Sequence, residues 1–504
     1  MLAGLSPRLT ASLDRAANRS LAFLRGNANG WLLSLWCLLL FLPGITSGTL
    51  YRTESLRARI AWEGFRGDWL VPTLYGDPFL TKPPGMYAAI CLASLPFGEV
   101  TPISARIPSI VAAWISVLAI HSMLRRVLSP TQALIGAMLT PMSLLWLDKA
   151  PSAEIDMLQV MWVTLAMLAW TRSREASFAG QNRSANGWWM LAMLAVTGGV
   201  LTKWTAPAFF YLAILTVAVC DWRTGRSIRW LFSAGHLIGG VVMLIIVGAW
   251  AWHAIEVAGW DRLRDTVGAE AIQRFDPNHK GRSYPWHETL LFPWQVFAAS
   301  LPFGPFALLT LRQSFWLRQS DPIRGLLRIA HAWCWPNLIF WTILPEHAVR
   351  YAFPMTPGLA ILAFLAILDL GARPDWSPVM RRGLMATVAI WLGVKLAFVG
   401  YVMPDRTEKR GVVATAQTIR DAVPDDEILY IYRLKDEGVL FYYGRSAQRL
   451  LAPDSGPSDQ PFYALLREPE VAPFAAVPGQ HLTIVQRCND QQGDPITVVR
   501  IQRG

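Results

Sequence analysis

The chain has 504 residues, of which 53% are apolar and only 16% charged, with 46 Lys and Arg against 35 Asp and Glu for a net charge of +11. Soluble chains carry about 25% charged residues, so this one lacks the polar side chains to cover its own surface and a soluble globular domain is excluded. The basic residues punctuate apolar runs and form no contiguous patch, which is the pattern of membrane topology and excludes nucleic acid as a partner.

Residues 1–30 form a basic segment with Arg8, Arg15, Arg19 and Arg25, and the apolar run after it is full-length, so it is read as an anchor and not as a cleaved signal peptide. Spanning helices need about 20 apolar residues each. By that measure the runs 31–48, 107–124, 131–147, 155–171, 188–202, 205–220, 231–255, 290–311, 330–344, 352–370 and 383–402 are expected to cross. The fold class is a polytopic α-helical membrane protein of about 11–13 spans. The run 83–97 is shorter. Placing it in the outer interface puts the arginine-bearing loops around 125, 172–183, 223–229, 312–328 and 373–382 on the side of the basic N-terminus, as the positive-inside rule prefers.

That topology gathers three polar stretches on the opposite face. A transmembrane domain over 31–403 carries outer loops at 49–106 and 256–289, and 404–504 follows as a small outer α/β domain. In the first loop, apolar Leu56, Ile60, Ala61 and Phe65 alternate with Arg57, Arg59 and Arg66, as in an amphipathic helix lying on the bilayer. The tail has a helical stretch at 411–422 and β-rich stretches ILYIYRL, HLTIVQR and ITVVRIQ. Cys488 is the lone cysteine of that tail, so no disulfide framework is built there.

Candidate chemistry sits where spans meet the outer face. Glu54 follows the first span as helix flank or catalyst. Lys82, held extended before Pro83 and Pro84, is a snorkelling side chain or a fixed cation for a phosphate. Asp156 lies inside an apolar run, and ionisable groups at membrane depth face a cavity or a partner; Glu154 beside it reads as a helix N-terminal charge. Lys203 interrupts two runs, and Arg350 with Tyr351 opens another, where an arginine suits bidentate phosphate capture. The loop GAEAIQRFDPNHKGRSYPWHETLLFPW concentrates Glu270, Arg274, His279 and His287. Its histidines lack the spacing of a zinc motif, so a divalent metal has little support and no cofactor is assigned. Carboxylates and cations at one water–lipid boundary suit a substrate with an anionic head and a lipid tail.

The stretches TESLRARIAWEGFRGDW, VPTLYGDPFLTKPPGMY, SAEIDML, LTKWTAP, GAEAIQRFDPNHKGRSYPW and VRYAFPMTP come in an order that resembles the GT-C superfamily of lipid-linked-sugar glycosyltransferases. The similarity, over about 31–370, is to the protein O-mannosyltransferase-like group that includes the lipid A aminoarabinose transferase. It implies a polyprenyl-phosphate-sugar donor, a hydroxyl acceptor on a lipid, glycan or protein, inversion at the anomeric carbon, and a multi-pass enzyme of the inner membrane with a periplasmic or extracellular active face. The family has an Asp-Glu pair after the first span; here the pair is Thr53-Glu54, so the catalytic role falls on Glu54, with Asp156 as the second acid. Lys82, Arg274, Arg350 and Lys203 take the donor phosphate, Tyr351 and His279 complete the site, and Thr81 stands where the aminoarabinose transferase has a metal-binding Glu. The alternative from another class is a transporter or flippase of an anionic lipid-linked solute.

Overall fold

The computed structural model describes residues 28–276, 284–372, 377–434 and 436–503. Among the described residues, five helices are long and apolar enough to cross a membrane: Pro102–Leu124, Ala206–Arg223, Ala234–Ala258, Val349–Gly371 and the continuous helical run Ser377–Ala422. Ile155–Phe178, Asn182–Thr202 and Asp321–Ile343 have spanning length at 1.5 Å per residue, with polar side chains at one end. Ala28–Gly44 is a shorter apolar helix. The chain is therefore a multi-pass membrane protein. Val349–Gly371 lies almost wholly inside the bundle, whereas Ala234–Ala258 turns Leu237, Ile238, Val241, Leu244 and Ile245 outward, as a lipid-facing helix does. Gly85–Ser94 has 10 residues and so rises only about 15 Å, half a bilayer core.

Two expected spans are broken. The run 131–147 becomes Pro130–Leu139 and Leu144–Lys149, and 290–311 becomes Trp286–Ala299 and a 3-10 stretch Gly304–Leu311. Pro141 and Pro302 sit in the gaps, where a missing N–H cannot continue a helix. The gaps meet each other: Ser143 pairs with Pro302 in an isolated bridge, and the Leu144 N–H donates to Leu301 O at 3.2 Å. Irregular backbone at this depth survives because protein, not lipid, satisfies it.

The amphipathic stretch forms the helix Thr53–Arg66, but of its arginines only Arg66 faces water. Arg59 is fully buried and donates through Nη1 to Leu440 O and Arg445 O, each at 3.1 Å, while Arg57 Nη1 donates to Tyr87 Oη at 2.7 Å. The alternation predicts one wet and one greasy face, yet the C-terminal domain covers Arg59 and the helix Gly85–Ser94 covers Arg57. Glu63 on the same helix accepts from Thr73 Oγ1, Tyr75 N and Gly76 N, which ties down the hairpin β1 (Thr73–Leu74) and β2 (Asp77–Pro78) leading to Lys82.

The tail folds as a five-stranded mixed sheet of β3 (Leu429–Ile431), β4 (Ala447–Arg449), β5 (Phe462–Arg467), β6 (Gln480–Asn489) and β7 (Pro495–Arg503), in the order β4-β3-β5-β7-β6. β3 runs parallel to β4 and β5, and β7 is antiparallel to both β5 and β6. Successive side chains alternate between faces. Leu429, Ile431, Leu465, Ile496 and Val498 join the core of the helical bundle, while Phe462, Ala464, Leu466, Val499 and Ile501 close a separate small core with Phe474. The helix Val412–Ala422 matches the expected one, as do three strands; β4 and β5 lay outside the expected stretches.

Candidate functional site

The end of the bundle beneath the C-terminal domain holds two cavities with a common wall. The smaller, of about 170 Å³, is lined by Arg57, Lys82, Asp156, Lys203, Glu270, Arg274, Arg350 and Tyr351 among others. Local structure delivers each of them. The two prolines after Lys82 start the helix Gly85–Ser94, whose N-terminus abuts the end of Asn182–Thr202 so closely that a Cβ on Gly85 would stand 2.8 Å from Leu201 O. Only glycine permits that approach. It brings Lys82 into the same cavity as Lys203, the residue that terminates Asn182–Thr202. The helix Trp260–Phe275 supplies Glu270 and Arg274 one turn apart, and the 3-10 turn Val349–Met355 supplies Arg350 and Tyr351.

Charges in this cavity are paired but not exhausted. Lys203 Nζ lies 2.6 Å from Asp156 Oδ1, with both side chains almost fully buried. Lys82 pairs with Glu270, which Arg274 Nη2 also reaches at 3.4 Å. Burial lowers the Lys82 ammonium to about 8, although Glu270 works against the shift. The Tyr351 ring has Lys203, Arg274 and Arg350 at 5.1, 5.5 and 5.8 Å from its centroid, and its hydroxyl donates to Glu346 Oε1 at 3.1 Å. Arg57 Nε and Arg274 Nη1 are buried donors with no hydrogen-bond acceptor among the described residues. Unmatched donors of this kind point to an anionic ligand, because leaving them dry is costly.

The larger cavity, of about 340 Å³, is lined by Glu54, Arg52, Arg106, Asp148, Lys149, Lys395, Arg406 and Arg410 among others. Glu54 Oε1 accepts from Arg106 Nε at 3.1 Å and from the Ala153 N–H at 3.0 Å, and its Oε2 lies 3.4 Å from Arg106 Nη2. Arg106 Nη1 also reaches Ile45 O and Ser47 O, so the pair locks the loop between the first helix and Thr53–Arg66. Arg52 takes φ +50°, a left-handed conformation that is uncommon outside glycine. Thr53, Glu154 and Arg350 line both cavities.

The structure thus brings Lys82, Asp156, Lys203, Arg274, Arg350 and Tyr351 into one cavity and puts Glu54 in the adjoining one. His279 lies outside the described residues. No group of three or more His, Cys, Asp or Glu among the described residues is arranged to hold a metal ion. Sequence reasoning passed over Arg57, Arg106 and Lys395. Lys395 is a lone cation in the run 383–402, and the membrane-depth argument that singled out Asp156 applies to it equally. Arg106 stands at the mouth of a span exactly as Arg350 does.

Residues 81–253 match the family model described as dolichyl-phosphate-mannose-protein mannosyltransferase. Two curated relatives, each named undecaprenyl phosphate-alpha-4-amino-4-deoxy-L-arabinose arabinosyl transferase, come from Edwardsiella ictaluri and Pectobacterium carotovorum. The first is 28% identical over 277 residues, covering 53% of this chain and 48% of the relative. The second is 28% identical over 375 residues, covering 72% of this chain and 62% of the relative. The alignments thus span from about half to just under two thirds of the relatives' length. ArnT from Cupriavidus metallidurans bound to undecaprenyl phosphate superposes with a TM-score of 0.72 at 17% identity, over 94% of this chain and 98% of that one; its apo form gives 0.67 at 15%, over 96% and 98%. In fold the chain is similar to ArnT, a multi-pass helical membrane architecture with a small sheet domain.

Proposed function

We propose that the protein is an integral-membrane glycosyltransferase that moves a sugar from a polyprenyl-phosphate carrier to a hydroxyl acceptor, with inversion, at the periplasmic face of the inner membrane. The observation that carries this reading is the cluster of Lys82, Lys203, Arg274 and Arg350 around one cavity at the end of the bundle, with buried guanidinium donors left unmatched. The fold is one in which the solved relative holds undecaprenyl phosphate, and the relatives named above act on an undecaprenyl-phosphate-linked sugar. The arginine-bearing loops on the opposite side support the periplasmic placement.

Lys82, Arg274 and Arg350 receive the donor phosphate. As the sugar–phosphate bond breaks, charge accumulates on the departing phosphate, and cations already in place stabilise it without reorganising. Asp156 keeps Lys203 charged and oriented at the same wall. A carboxylate takes the acceptor proton, and the resemblance picks out Glu54 and Asp156 as the first candidates.

The test uses purified protein with labelled polyprenyl-phosphate hexose and pentose donors and a membrane extract as acceptor, following release of the lipid phosphate. Wild type should release it, and Lys82→Ala should bind the donor roughly 10- to 100-fold more weakly, the equivalent of about 1.5–3 kcal/mol for a lost charged contact. No release, together with labelled lipid moving between leaflets, would replace the enzyme with a flippase.

A further inference from the structure

The two cavities constrain where the attacking group can stand. A donor phosphate in the smaller cavity and an acceptor in the larger one meet only at their common wall, built by Thr53, Glu154 and Arg350. A threonine hydroxyl keeps its proton at neutral pH and a guanidinium has none to accept, so Glu154 is the one carboxylate among the shared residues. The other acids are badly placed or already engaged. Both oxygens of Glu54 face Arg106, and its Oε1 also takes the Ala153 N–H; it lines the larger cavity alone. Asp156 lines the smaller cavity alone and is locked to Lys203 at 2.6 Å.

Glu154 differs from Asp156 in lining both cavities and from Glu54 in having only one oxygen engaged. It occupies the N-cap position of Ile155–Phe178, yet its side chain makes no capping hydrogen bond. Its Oε1 accepts from Lys149 Nζ at 2.7 Å, and no described residue hydrogen-bonds to Oε2. Its backbone is fixed from two sides, by Ser109 Oγ donating to its carbonyl at 3.2 Å and by its own N–H donating to Ser152 O at 2.7 Å. A held carboxylate with one oxygen anchored and the other open is the arrangement a general base requires.

Resting on the glycosyl-transfer reading above, we propose that Glu154, and not Glu54 or Asp156, is the catalytic base. Glu154 Oε2 removes the proton of the acceptor hydroxyl. The freed oxygen pair forms the new bond to the anomeric carbon while the bond from that carbon to the phosphate oxygen breaks, and its electron pair leaves on the polyprenyl phosphate. The proton then passes from Glu154 to solvent, which restores the carboxylate. Lys149 is a positioning residue that holds the carboxylate by Oε1 and leaves Oε2 toward the wall.

The experiment compares wild type, Glu154→Gln, Glu154→Asp and Glu54→Gln in the release assay, and measures undecaprenyl phosphate binding to each. Glu154→Gln should bind undecaprenyl phosphate as wild type does and lose release by roughly 100-fold or more, the usual contribution of a general base. Glu154→Asp should recover part of the loss, and Glu54→Gln should retain more activity than Glu154→Gln. Release by Glu154→Gln within a few-fold of wild type would overturn the assignment, as would a loss that merely parallels weaker lipid binding. An inactive wild type would instead remove the underlying function, so the two failures are told apart by the control.

Discussion

A lysine that titrates near neutrality makes a poor permanent counter-ion, and Lys82 is such a lysine. Burial brings it to about 8 against the pull of Glu270. A bound phosphate holds the proton on, so the bound state carries one more proton than the free state once the pH exceeds that value. Lipid phosphate affinity should therefore be level below about pH 8 and fall by up to tenfold per unit above it. Lys82→Arg should stay level to higher pH, since a guanidinium does not lose its proton in this range. Titration of undecaprenyl phosphate between pH 7 and 9.5 checks this, and a wild-type affinity that does not change would dismiss Lys82 as a phosphate ligand. At this scale the sequence was informative wherever a charge interrupts an apolar run, because Asp156, Lys203 and Arg350 need no partner to be conspicuous. It was silent on Arg59, whose burial depends on chain nearly four hundred residues away, and on Arg57, which is buried against Tyr87 of the next helix.

Helices set these residues in place through a few close approaches. At Gly85 a Cβ would also meet Thr202 Oγ1 at 2.7 Å. Gly85→Ala should push the start of Gly85–Ser94 off the end of Asn182–Thr202, costing about 1–3 kcal/mol of stability and shifting Lys82 within the cavity it lines. Thermal unfolding in detergent and lipid phosphate affinity should both decline, and an unaltered pair of values would show that the contact gives way freely. The broken spans are instructive for the same reason. Hydropathy registers apolar length, so it ran through Pro141 and Pro302 without stopping. The Ser143–Pro302 bridge that makes each break tolerable joins segments far apart in sequence. The run 83–97 was ambiguous by length, and the placement of the arginine-bearing loops argued against its crossing; its regular part is the 10-residue helix Gly85–Ser94.

Across the whole molecule, one end of the bundle carries the cavities, the long loops and the sheet domain. The domain is fastened there by Tyr442 Oη, which accepts from Leu50 N at 2.9 Å, and by Thr407 Oγ1, which accepts from Thr49 N at 3.0 Å. If that end faces the periplasm, a phosphatase active only outside the cytoplasm should work when fused after Arg503 and fail when fused after Thr224, with a cytoplasm-dependent fluorescent reporter giving the reverse. Matching signals at both points would invert or refute the topology. The wall shared by the two cavities carries a thermodynamic consequence. Arg350 lies in reach of both occupants, so whatever one ligand gains from its charge is no longer fully on offer to the other. The affinity of each must then depend on the presence of its neighbour, by the same factor in either direction. A spent lipid phosphate, more negative than the donor it came from, would claim the larger share of that arginine, and its departure would return the full charge to the next pair.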